Sequence, residues 1–165
     1  MVNILNTIIL LGCLQGFILS ALLFFSAPKR LAEQLLAAML FLLSLASLNI
    51  YLMESDAPWQ VGVVLSLVPT IIVMPFGLLI YFYTRSLLNP SFRLEPKHKL
   101  HFLPVIIDLL PAITAWILAI GQLLKTFAQD YLSEWDNIIG QYNSYSDLPR
   151  WLSITLYLLL PNAFK

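Results

Sequence analysis

The chain has 165 residues, of which 59% are hydrophobic and only 11% charged, with a mean hydropathy of +0.82. Soluble domains carry about 25% charged residues, so this composition argues against a water-soluble domain and for a chain dissolved in a bilayer. Nine basic and nine acidic side chains cancel, and the total charge implies neither nucleic acid nor an anionic surface as a partner.

The N-terminal run "MVNILNT" contains no Lys or Arg. A secretory signal needs a basic n-region and a small-residue cleavage site, so the first apolar run is expected to be a retained helix, over residues 4–25. On it Gly12, Gly16 and Ser20 recur at a spacing of four. Small residues so spaced make a groove that another helix can approach closely. That face packs within the chain or forms a homodimer. Asn6 and Gln15 are expected to face protein, and the lone Cys13 reads as a small side chain, buried or facing lipid.

A second helix is expected over residues 31–53, with Glu33 and Gln34 at the interface and the polar Asn49 near its end. The third apolar run, 61–88, would be about 42 Å long as a helix, so it must tilt or project from the bilayer. Pro69 and Pro75 lie inside it, and each removes a backbone donor and invites a kink. Its end, "YFYTR" at residues 81–85, combines aromatics and a cation as interfacial anchors do. "NPSF" at 89–92 reads as a turn. Asn89 is no glycosylation acceptor, because proline follows it. His98 and His101 are three apart with no third ligand nearby, so no metal site is assigned.

A fourth helix is expected over residues 100–124, with Pro104 and Pro111 as further hinge candidates. It carries Asp108 inside an otherwise apolar run. An ionised carboxylate facing lipid is costly, and intramembrane acids face the bundle, a cavity or a partner. If the helix starts near Leu100, Asp108 lies two turns in, and Arg85 is the best partner, with His101 a weaker one. Asp108 then clamps helices three and four, senses a ligand or proton, or sits at a wetter helix end. Residues 125–150 follow as a polar, acidic, aromatic connection lying on the membrane face, with one short amphipathic helix. A fifth helix, 148–165, is too short past Trp151 for a crossing, so the chain is expected to be a fragment.

Together these elements predict an all-α fold: a polytopic membrane helix bundle with four full transmembrane helices and a partial fifth, in one transmembrane domain over 1–165. Lys29, Arg30, Arg85, Arg93, Lys97 and Lys99 fall on one side, and Lys125 and Arg150 on the other, before the terminal Lys165 is counted. The positive-inside rule then puts the N-terminus outside and the first and third connections in the cytoplasm. There is no glycine-rich phosphate loop, nucleophile–base pair or zinc-protease signature. No catalytic, cofactor-binding or metal residue is assigned, no cofactor is expected, and the chain is not expected to be an enzyme.

"NTIILLGCLQGFILSALLFF", then "LNIYLMES", then "PFGLLIYFYTRSLLNPSFRLEPKHKLHFLPVIIDLLP" resemble the N-terminal membrane region of membrane-bound AraC-family transcriptional regulators of bacteria. The resemblance covers residues 3–111, and the rest more loosely. It implies a sensor or anchor module in the bacterial inner membrane, whose parent protein binds DNA through a C-terminal helix-turn-helix domain. That domain is absent from these 165 residues, which carry no basic recognition helix, so the fragment itself contacts lipid and no nucleic acid, and its ligand is unknown. Two other readings stay open: a piece of a multi-pass transporter or channel with Asp108 lining the path, and a structural membrane subunit.

Overall fold

The computed structural model describes residues 4–26, 30–55, 72–89, 91–96, 100–103, 105–123 and 130–163. Five α-helices follow in order: α1 (Ile4–Phe25), α2 (Leu31–Glu54), α3 (Pro75–Leu88), α4 (Val105–Leu123) and α5 (Asp130–Ala163). A short 3-10 turn, Leu100–Phe102, precedes α4. No strand occurs among the described residues.

The first two helices form an antiparallel hairpin. Cys13 Sγ donates to the Ser44 carbonyl at 3.2 Å and Ser20 Oγ to the Ala37 carbonyl at 2.7 Å. Phe17 meets Phe41 edge to face, with centroids 5.5 Å apart, and Asn6 Nδ2 reaches the Glu54 carbonyl at 3.4 Å. Partner numbers fall as residue numbers rise, as antiparallel packing demands. In lipid, apolar burial gives helices little reason to associate, so close packing and polar contacts must supply it. This hairpin uses both.

Among the described residues, α1 and α2 alone are long and apolar enough to cross a membrane. Four full crossings are therefore not supported among the described residues. Residues 61–71 of the expected third helix lie outside the described residues; within them α3 has 14 residues, Pro75 occupying its first turn. The long, uniformly apolar run of 4–25 leaves Ile8, Leu11, Ile18 and Leu22 more than half exposed. Such a surface is tolerable only against lipid or a partner.

Two further expectations are corrected. Residues 91–96 and 100–103 fold back along α3. Phe92, Leu94 and Phe102 pack onto the core of Leu35, Met39, Leu78, Leu79, Phe82 and Tyr157. Phe82 stacks on Phe92 and Phe102, at 6.0 and 6.3 Å between centroids. The return strand of chain uses up the length, so α4 starts at Val105 and not at Leu100. Residues 130–150, expected as a connection, belong to the 34-residue α5. That helix runs through Pro149, which offers no N–H to the carbonyl four residues back. It holds because one face docks on α3 and α4: Ser146 and Tyr157 are buried and Arg150 nearly so.

The helices α3 and α5 approach closely at Gly77. A methyl group added at Gly77 would sit 2.9 Å from Ile154 Cα and 3.2 Å from Tyr157 Cβ. Glycine is required there because any side chain would push the two backbones apart.

Candidate functional site

Where α3 begins, proline at its first position has a preset φ and no N–H to satisfy. The backbone donors just before it, on Val73 and Met74, still need acceptors. Both find the same atom: Val73 N donates to Asp108 Oδ2 at 2.7 Å and Met74 N at 2.6 Å. The other carboxylate oxygen, Oδ1, accepts from Arg150 Nε of α5 at 2.7 Å. The Asp108 side chain is 0% exposed and that of Arg150 12%.

Three features surround the carboxylate. Asp108 lies in the first turn of its own helix, where the partial positive charge of the helix end resides. The N-terminus of α3 points two amides at it, in the manner of helix-end anion sites. The guanidinium completes the set with a charge-assisted bond. Arg150 is shared: its NH1 also donates to Asp147 Oδ1 at 3.0 Å, and that carboxylate is 67% exposed.

One residue earlier on α4, a second tie exists. Pro111, a hinge candidate, lies inside α4. Its missing N–H leaves the Ile107 carbonyl without the usual helical donor. Tyr142 Oη of α5 donates to that carbonyl at 2.8 Å, so the helix continues through the proline. Two successive residues of α4, Ile107 and Asp108, are thus fastened by two side chains of α5.

The expected Asp108–Arg85 pair is not formed. Arg85 stands eleven residues past Met74 on α3, roughly 16 Å along the axis. Its guanidinium covers the Phe92 ring at 4.8 Å and donates to Tyr81 Oη at 3.0 Å. The pairing with Arg85 assumed that α4 starts beside the end of α3; the folded-back chain brings its start beside the beginning of α3 instead. His101 is likewise engaged elsewhere, its Nδ1 3.1 Å from Tyr157 Oη.

Of the small residues on α1, Ser20 bonds to α2, and a methyl group on Gly16 would collide with Ser44 Oγ. Gly12 has nothing within 4 Å of an added methyl; the inward position in that turn belongs to Cys13, 1% exposed. Among the hinge candidates, Pro75 opens α3, Pro111 is spanned as described, and Pro69 and Pro104 lie outside the described residues.

Tyr142, Arg150 and Tyr157 were missed in the sequence because they fell in a stretch taken for a surface connection and its sequel. The available signal was a helical stripe, Tyr142, Ser146, Arg150 and Tyr157, spaced by four, four and seven. It is polar, whereas a search for membrane helices follows apolar periodicity.

No family model, curated protein or solved structure matches the chain.

Chemically, the site is a joint. Its carboxylate accepts two backbone amides of the α3 start and the Arg150 guanidinium of α5. It ties α3, α4 and α5 together, and Arg150 holds Asp147 at the same time.

Proposed function

We propose that this chain is the membrane-embedded sensor and anchor module of an AraC-type transcriptional regulator, placed in the bacterial inner membrane with its N-terminus outside. In this reading α1 and α2 cross the bilayer, and α3 to α5 complete a polytopic bundle around the Asp108 joint. DNA binding belongs to the parent protein, not to the residues described above. The sequence resemblance supplies the family. The observation that carries the mechanism is the Asp108–Arg150 contact, because a sensor needs an element with two arrangements whose balance a signal can shift. Arg150 has two carboxylates in reach, one buried and one exposed. The orientation gains support from the same contact. With Arg150 inside the bundle, Lys125 alone is left to oppose the six cations of the first and third connections.

The test is a promoter reporter in cells carrying the full-length parent, comparing wild type with Asp108→Asn and Arg150→Gln at equal membrane levels. A changed reporter output with unchanged insertion is expected. Wild-type output from both variants, or from a deletion of the whole gene, would rule the reading out.

A transporter reading is favoured by one feature. A helix N-terminus aimed at a polar group between broken helices is how many transporters hold substrates and ions. Solute flux in liposomes, present for the wild type and lost in Asp108→Asn, would establish that reading in place of the first.

A further inference from the structure

A cavity of about 610 Å³ lies between the hairpin and the start of α3 and α4. That is within the range of ligand pockets, about 300–1,000 Å³. Its walls are apolar: Phe24 and Ala21 come from α1, Ala38 and Phe41 from α2, Pro75 from α3 and Val105 from α4. The hydroxyl of Ser20, also in the wall, is already spent on the Ala37 carbonyl. Nothing in the lining offers a polar solute a partner.

The cavity opens sideways. Phe24, Phe25 and Phe41 line it and are 50%, 77% and 48% exposed. They belong to the two helices long and apolar enough to cross a membrane, so in the proposed membrane reading the mouth faces hydrocarbon. At the same end of the hairpin, Arg30 precedes α2 with a side chain 74% exposed and only a 3.9 Å contact to Glu33. A cation beside an apolar mouth suits an anionic headgroup whose chain enters the wall. The wall at the starts of α3 and α4 adjoins the joint. Ile72 and Pro75 flank the Val73 and Met74 amides, and Val105 begins the turn that carries Asp108.

We infer that this cavity binds an acyl chain of an anionic membrane lipid, and that its occupancy bears on the Asp108 joint through Pro75 and Val105. The inference rests on the sensor reading and names the class of its ligand.

The experiment uses the whole chain in vesicles of phosphatidylethanolamine and phosphatidylglycerol, the latter with a diazirine in mid-chain. After irradiation, adducts are mapped by mass spectrometry. Adducts on Phe102 and Val105, inside the cavity, are expected alongside adducts on the outer residues Leu11 and Leu22. Filling the cavity with Ala38→Trp, or from the opposite wall with Ala21→Trp, should abolish the inner adducts and leave the outer ones. Diazirine-phosphatidylcholine should label the inner wall less than phosphatidylglycerol does, and Arg30→Gln should remove that difference. The inference is overturned if Phe102 and Val105 stay unlabelled while Leu11 and Leu22 react, as when residues 61–71 or a second copy fill the space. Inner labelling that survives both substitutions, or is equal from the two lipids, also overturns it. Labelling without any promoter response would leave the lipid site standing and remove the regulator reading; the converse result would do the reverse.

Discussion

The α1–α2 hairpin and the α3–α4–α5 unit solve the same problem by different means. The hairpin joins two long apolar helices through small residues and single weak bonds, Cys13 to Ser44 and Ser20 to Ala37. Each such bond within a membrane is worth on the order of 0.6 kcal/mol. The second unit joins proline-bearing and partly polar helices through one buried carboxylate with three donors. The contrast teaches that a hairpin of uniform helices can be spread over many small contacts, whereas two helix ends meeting inside a bundle need a concentrated one. Their unpaired amides leave no cheaper choice.

If that contrast is right, damage to the second unit should be concentrated and damage to the first diffuse. The largest effect is expected for Arg150→Leu. Removing one member of a buried ion pair costs about 3–5 kcal/mol because the other charge is stranded. Unfolding of the chain in mixed micelles by added dodecyl sulfate would read this as a large fall in midpoint. A loss no greater than that of a surface variant would show the pair to be ornamental.

Next comes Gly77→Ala, where the added methyl meets the backbone of Ile154 and cannot be accommodated by a rotamer change. Overpacking of this kind costs about 1–3 kcal/mol, and the same titration should place it at the upper end. Gly16→Ala should cost less, about 1 kcal/mol, because the obstacle is the end of the Ser44 side chain. Adding Ser44→Gly should recover most of that loss, and Gly12→Ala should be neutral within about 0.5 kcal/mol. Equal costs at Gly12 and Gly16 would mean that the hairpin packs in another register.

The smallest effect belongs to Arg85. Its contact with the Phe92 ring predicts a loss of about 0.5–1 kcal/mol for Arg85→Gln. Tryptic cleavage after Arg93 should rise in that variant as the folded-back chain loosens, while the joint stays intact. A loss as large as that of Arg150→Leu would restore Arg85 as the partner of Asp108.

The helical class and the hairpin were legible because hydrophobic runs of membrane length announce themselves. The spacing of Gly16 and Ser20 pointed to the right face, but Gly12 did not, since 3.6 residues per turn carries a strict four-residue spacing off the contact line. Cys13 takes that place instead. Asp108 was legible as a residue that must be compensated. Its partner was not, because the choice between Arg85 and Arg150 depends on where α4 starts. That start depends on Phe92, Leu94 and Phe102 packing back onto α3, a long-range event with no local signature. Reading 130–150 as a connection failed for a similar reason: helix formation there depends on a docked face more than on composition.

The most direct test of the account is a double-mutant cycle on the Asp108 joint, with stability read in mixed micelles for Asp108→Asn, Arg150→Gln and the pair. A parallel cycle with Arg85→Gln serves as the control. The account predicts a coupling of about 1 kcal/mol or more between positions 108 and 150, and additivity within about 0.5 kcal/mol between 108 and 85. Additivity at 108 and 150 with coupling at 108 and 85 would contradict it.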